Sequence, residues 1–269
     1  MQKTKAFCFA GLVLITAVIT HADTPGKTNN SPSSKESVIT IEGTTVIYAG
    51  KISEKRVDLL LNTVKGKKIE TLIINSGGGE INAAMKMGHW VFDNSIDVVV
   101  DGICMSSSAN YVFTAGRRKT IKNGSIVAWH GNALQKSGMS EKDIRESVIK
   151  AFNELPEDEK KKNLEDLVKE SIEQMRGYMA DSIKRQAAFF SKIGVDEYVC
   201  RIGNEEYGAR DFFILSKEDM GRFGITNVTV PDNYGKTDLS IFRKKGKEIQ
   251  HIRLTTDLGL QFFSCSETA

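Results

Sequence analysis

The sequence predicts a mixed α/β protein, a largely parallel sheet built from strand–helix–strand units with a helical insertion in its second half. Two observations carry this. Short β-rich runs alternate with amphipathic helices across short connections, the pattern of a sheet covered by helices. After Gly138 the composition changes to long, charged, helix-favouring stretches. In order, the β-branched run Val38–Tyr48 opens the ordered chain. Ser53 N-caps a helix to about Val64, with Val57, Leu60, Leu61 and Val64 at helical spacing. A buried strand at Thr71–Asn75 is broken by Gly77, Gly78 and Gly79. Helix follows at Ile81–Phe92, strand at Ile96–Val100, helix at Ser108–Ala115 and strand at Ser125–His130.

The insertion comprises charged helices at Ser140–Glu154 and Asp158–Ser191, separated by Pro156. Leu164, Leu167, Val168, Ile172 and Met175 form a stripe suited to packing against the body or a neighbouring subunit. Strand pattern returns at Phe212–Leu215, a short helix at Lys217–Phe223 and a strand at Ile225–Val230. Residues 235–269 hold β-like pieces and no recognisable chemistry. The main α/β body is thus expected over 37–230, with the insert at about 140–191 and a tail at 231–269.

The N-terminus reads as an address. Lys3 and Lys5 precede an uncharged run of about 15 residues, short of the roughly 20 that span a bilayer, and Thr20 and Ala22 suit a signal peptidase. Residues 1–22 are therefore expected to be a signal peptide, and the polar stretch 23–36 a flexible linker. The mature chain is expected in the periplasm or secreted, with no stable membrane anchor. The net charge is only +3 in 269 residues, and Lys3 and Lys5 supply two of those charges. This gives no electrostatic case for a nucleic-acid partner. Of the 4 cysteines, Cys104, Cys200 and Cys265 follow the leader; one pair among them is open to bridging, and the sequence does not choose it. Their wide spacing fits no zinc motif, so neither a metal nor a cofactor is expected.

Three segments stand together in chemical character: INSGGG at Ile74–Gly79, CMSSSANYVFTAG at Cys104–Gly116 and VAWHG at Val127–Gly131. Bare glycine amides can stabilise an oxyanion or pair with an extended peptide. A serine hydroxyl where strand becomes helix lies in the positive field of a helix N-terminus. A histidine ending the next strand can take its proton. His89 is expected to pack beside Trp90, and Cys104 to be a buried thiol in the turn before the serines. Arg117, Arg118 and Lys119 cluster at a helix C-terminus, where cations are favoured.

From Val38 to Gly131, with an echo at Leu215–Val228, the chain resembles the ClpP and SppA family of serine peptidases, which share the crotonase-like fold. INSGGG is similar to that family's INSPGG, and SANYVFTAG to the helix that follows its nucleophile. The resemblance implies a ClpP-like βαβ spiral. Counting back from Thr114-Ala115-Gly116, it places the nucleophile on Ser107, with His130 as base. It implies oxyanion donors at the backbone N–H groups of Gly78 and Ser108, with Gly77, Gly78 and Gly79 holding the substrate. Gly102 then stands one residue further from Ser107 than the family's glycine, so an inserted residue is expected in the turn. The family's acidic third member falls at Gly203, which leaves Glu205 and Asp211 as candidate acids. The Ser–Lys variant of the family would draw on Lys119, Lys122 or Lys184. The expectation is an exported, ATP-independent serine peptidase that acts on peptides or unfolded protein and forms a homo-oligomer. The alternative is a non-catalytic peptide- or protein-binding domain on the same scaffold.

Overall fold

The computed structural model describes residues 38–134, 140–157, 160, 163–236, 239–240, 246 and 248–255. The proposed leader, the linker and Cys265 lie outside these residues. The expected α/β class is present, with a mostly parallel sheet flanked by helices. The β-branched run at the start is two strands, β1 (Val38–Glu42) and β2 (Thr45–Ala49), paired antiparallel around a turn at Gly43. Helix α1 (Glu54–Val64) leads to β3 (Thr71–Ser76), which runs parallel to β2. Helix α2 (Ile81–Asp93) follows, its first turn held by the Glu80 carboxylate, which accepts the Asn82 and Ala83 N–H groups.

Strand β4 (Asp97–Met105) organises the rest. It is five residues longer at its C-terminal end than the sequence pattern implies, and Cys104 lies in it, not in a turn. A bulge opposite Asn75 explains the length: Ile74 pairs with Val100, but Ser76 pairs with Cys104. The Gly102 N–H donates to Ser125 Oγ at 2.8 Å and the Ile103 N–H to Asn75 Oδ1 at 3.2 Å, so side chains replace the interrupted ladder. The first half of β4 pairs in parallel with β5 (Lys119–Ile121), a short strand that the sequence pattern does not reveal. The second half pairs with β6 (Ile126–Ala128).

Beyond the insertion come a short helix, α5 (Ile202–Glu205), strand β7 (Phe212–Leu215), helix α6 (Lys217–Arg222) and strand β8 (Val228–Thr229), which joins the sheet beside β5. Part of the segment after residue 230 belongs to this body. Strand β9 (Ile249–Ile252) pairs in parallel with β7, and buried Tyr234 sits within hydrogen-bonding distance of the Val127 backbone. The core runs through Tyr48, Leu72, Ile74, Val98, Val100, Tyr111, Phe113, Trp129 and Phe213, all essentially inaccessible. Each such side chain contributes about 1.5–3 kcal/mol through burial.

The insertion is a compact unit of its own, within residues 133–186. Helix α3 (Glu141–Glu154) starts with a reciprocal cap between Ser140 and Asp143. In the 30-residue helix α4 (Leu164–Ile193), Val168 packs with Ile144 and Val148 of α3, and Leu164, Leu167, Ile172 and Met175 lie against that cluster. The stripe seen in the sequence thus faces α3.

Candidate active site

The pairing of β4 with β6 places Met105 opposite Ala128. The chain therefore leaves both parallel strands at the same level, and the residues that follow must meet. Ser106 leaves β4 with φ +57, a left-handed conformation that costs a non-glycine residue about 1–2 kcal/mol. Its N–H donates to the Ala128 carbonyl at 3.0 Å, and its own carbonyl accepts the Asn110 N–H at 2.9 Å. The side chain is turned out of the stack, half-exposed, with Oγ 2.7 Å from His130 Nε2.

His130 is fixed from both sides. The preceding Trp129 exchanges two backbone hydrogen bonds with Phe213, at 2.9 and 2.8 Å, and the following Gly131 donates to the Cys200 carbonyl at 2.7 Å. Asn110 Nδ2 donates to the Gly131 carbonyl at 2.9 Å. The imidazole is half-buried with the Phe212 ring 4.6 Å away, centroid to centroid.

The histidine therefore meets Ser106, not Ser107 as expected. Ser107 Oγ accepts the Gly79 N–H at 2.7 Å and lies 3.0 Å from the Gly79 carbonyl, to which its proton points. Its single proton is engaged there, and the side chain is buried. Ser108, inaccessible to solvent, accepts the Met105 N–H at 2.9 Å and has the Met105 and Ser76 carbonyls within 2.7 and 2.9 Å. Three consecutive hydroxyls thus do three different things: one faces His130, one holds the glycine loop and one closes the end of β4.

The helix geometry bears on why a count along the sequence and the contact name different serines. The helix after the serines contains a π-helical segment, Ser108–Phe113, which accommodates an extra residue within a helix. Counting back from Thr114 crosses this segment and lands on Ser107, the neighbour of the serine that meets His130. Counting forward from Gly102 avoids it and lands on Ser106, which is the signal that was available.

The glycine loop is more occupied than its sequence suggests. The Ile52 N–H donates to the Gly78 carbonyl and the Glu80 N–H to the Ile52 carbonyl, at 2.8 and 3.0 Å. The Gly78 N–H reaches Ser76 Oγ at 3.1 Å. Strand addition by a substrate along Gly78–Glu80 would have to break these bonds, so only exposed Gly77 offers an open edge. Gly78 lies flat on the serine turn: a Cβ there would come within 2.7 Å of the Met105 carbonyl oxygen and 3.0 Å of the Ser107 nitrogen. With Ser106 facing the histidine, the amides beside it are those of Gly78 and Ser107. The expected donor Ser108 lies one residue too far along.

At Gly203, where the resemblance places an acid, the space is filled; a Cβ would come within 2.3 Å of the Phe213 ring. Glu205 is exposed and pairs with Arg201 at 2.7 Å. Asp211 accepts the Glu248 N–H at 3.0 Å and directly precedes Phe212, the residue against His130.

Other sequence candidates take no part in the serine–histidine contact. Cys104 and Cys200 are free, buried thiols, and burial pushes Cys104 up to about 12, which makes it inert. His89 packs edge-on to Phe189 with centroids 5.0 Å apart, and desolvation lowers its pKa. Lys122 pairs with Asp101 at 2.7 Å on the surface. Lys119 is opposite Val98, at the far end of β4 from Ser106, and cannot act on it.

Fold and site together define an α/β protein with a serine–histidine pair at the C-terminal ends of adjacent parallel strands. No family model matches the sequence, and no curated protein matches it. Among solved structures, it is similar to a mutant ClpP1 from Listeria monocytogenes, at 19% identity and a TM-score of 0.36, covering 73% of this chain and 95% of that one.

Proposed function

We propose that the protein is a serine hydrolase with Ser106 as nucleophile and His130 as general base. The observation that carries this is the 2.7 Å contact between Ser106 Oγ and His130 Nε2, on a strand-to-helix turn with positive φ. Such strained turns present a nucleophile clear of its own backbone. Ser106 Oγ attacks a carbonyl carbon while His130 takes its proton. The amides of Gly78 and Ser107 flank the developing oxyanion, a contribution of roughly 3–4 kcal/mol per donor in formed sites. His130 then gives the proton to the leaving group, and water, activated by the same imidazole, releases the acyl group. For Gly78 to serve, its N–H must turn from Ser76 Oγ to the oxyanion. The sequence resemblance supports peptides or unfolded segments as substrates, an exported and ATP-independent activity, and assembly with further copies of the chain.

A fluorophosphonate tests the assignment by forming a phosphorus–oxygen bond to the nucleophile with loss of fluoride. Wild type should label on Ser106, Ser107→Ala should still label, and Ser106→Ala should not. His130→Ala should label at least ~10³-fold more slowly, given the size of such losses elsewhere. Labelling of Ser106→Ala at the wild-type rate would overturn the assignment. A second reading, a non-catalytic peptide-binding domain, is favoured by the Phe213 ring that fills the acid position at Gly203. On that reading wild type takes no label at all.

A further inference from the structure

The far end of β4 carries a second polar feature, unconnected with the serine–histidine pair. A cavity of about 330 Å³, within the size range of small-molecule sites, is lined by Phe92, Ala115, Ile193, Val195, Lys119 and Thr226 among others. Phe92, Ala115, Ile193 and Val195 supply its apolar surface, Ser95, Thr114, Arg117 and Thr226 supply polar surface, and Lys119 is only 5% exposed. Lys119 Nζ donates to the Thr226 carbonyl at 3.1 Å, which uses one of its three N–H bonds. The neighbouring charges are already matched. Arg117, also on the wall, and Arg118 both hold Asp97, at 2.8 and 2.7 Å, and Lys192, over the Phe92 ring, pairs with Asp93 at 2.5 Å. Among the described residues no carboxylate reaches Lys119, and burial alone lowers its pKa, to about 8.

A buried ammonium without a counter-ion, beside a cavity walled on part of its surface by apolar side chains, is an incomplete ion pair. We infer that this cavity binds a small monocarboxylate with an apolar tail, its carboxylate completing the pair with Lys119 and its tail lying against Phe92, Ile193 and Val195. The site is separate from the proposed hydrolase centre. Ser106 and the start of β4 are about 25 Å apart at the rise of an extended strand, so ligand binding here does not require Ser106 or His130.

Isothermal titration with sodium benzoate tests it, on the full chain as wild type, Ser106→Ala and Lys119→Met. Wild type and Ser106→Ala should bind one benzoate with the same affinity, and Lys119→Met at least tenfold more weakly with its circular dichroism unchanged. Inorganic phosphate, which lacks the tail, should bind at least tenfold more weakly than benzoate. A measurement on wild type alone guards against a variant that fails to fold. Acetic anhydride should acetylate Lys119, mapped by peptide mass spectrometry, and saturating benzoate should slow that acetylation at least fivefold. Absence of saturable benzoate binding, equal binding by folded Lys119→Met, phosphate binding as tight as benzoate, or acetylation indifferent to benzoate would each overturn the inference.

Discussion

The two ends of strand β4 solve the same problem by opposite means. At the C-terminal end, the turn into Ser106 is held by neutral groups: the Ser107 and Ser108 hydroxyls, the Ser76 hydroxyl and backbone amides. At the N-terminal end, Asp97 is gripped by Arg117 and Arg118, and Lys119, which follows Arg118 in sequence, is buried. The guanidinium groups hold the Asp97 carboxyl far below the usual carboxylate range. Neutral hydroxyls that keep hydrogen-bond partners can be enclosed at far lower cost than charges. Ionic groups hold well at the surface but are unfavourable when enclosed without a partner. The neutral end is therefore sensitive to shape, and the charged end to pH.

The largest effect should come from shape at the neutral end. Gly79 has φ +154, and a Cβ there would lie 1.9 Å from the Ile52 carbonyl oxygen, a backbone atom that cannot move aside without opening the loop. Gly79→Ala should destabilise the protein by about 4 kcal/mol in urea unfolding, at the upper end for point substitutions. Arg118→Ala at the charged end removes one exposed partner of Asp97 and leaves Arg117 in place. That change should cost under about 1 kcal/mol. Equal losses from the two substitutions would erase the contrast.

The pH response of the charged end is the next effect in size. In the folded chain Lys119 titrates at about 8, against 10.5 ordinarily, because burial disfavours its charge. Below pH 8 both folded and unfolded states carry the proton, and the full penalty of the enclosed charge applies. Between about pH 8 and 10.5 the unfolded state binds more protons, so this residue makes stability rise with pH. Above that window the penalty is gone. The difference between about 8 and 10.5 corresponds to about 3 kcal/mol. The stability of wild type relative to Lys119→Met should therefore increase by that order from pH 7.5 to 10.5, measured by urea unfolding at each pH. A difference that is flat across the window would show that the ammonium is not enclosed.

How much of this was legible in the sequence depends on which physical signal each feature leaves. Strands β3 and β7 and helices α1 and α2 announce themselves by apolar spacing, because burial of one face sets the pattern. Strand β5 does not. It has three residues and begins with a lysine, which reads as surface until β8 and Thr226 enclose it. The bulge at Gly102 hides the true length of β4, because a bulge interrupts the periodicity that reveals a strand. The glycine loop and His130 were visible as chemistry, but which serine meets the imidazole is a matter of one residue of register. A π-helical segment leaves no compositional mark, so a count made through the helix and a count made along the strand end on neighbouring serines, of which Ser106 is the one that meets the imidazole. The occupancy of the glycine amides was invisible for a similar reason. Ser107, which takes the Gly79 N–H, and Ile52, which pairs with the Gly78 carbonyl and the Glu80 N–H, are distant in sequence from the loop; only the Ser76 hydroxyl on the Gly78 N–H is local.

The smallest effects separate the two neighbouring serines most sharply. Ser107 serves stability: without its hydroxyl the Gly79 N–H and carbonyl lose their partner, and a lost hydrogen bond of this kind costs about 1–2 kcal/mol. Ser106 opposes it, since its φ of +57 is unfavourable for any side chain and natural for glycine. Ser107→Ala should therefore lower stability by about 1–2 kcal/mol. Ser106→Gly should raise it by about 1 kcal/mol while removing the hydroxyl that faces His130. Opposite signs from adjacent serines in the same urea titration would mark Ser106 as a residue kept in a strained position for its hydroxyl. If Ser106→Gly destabilises as much as Ser107→Ala, the turn is held by packing alone, and the argument from strain to nucleophile fails.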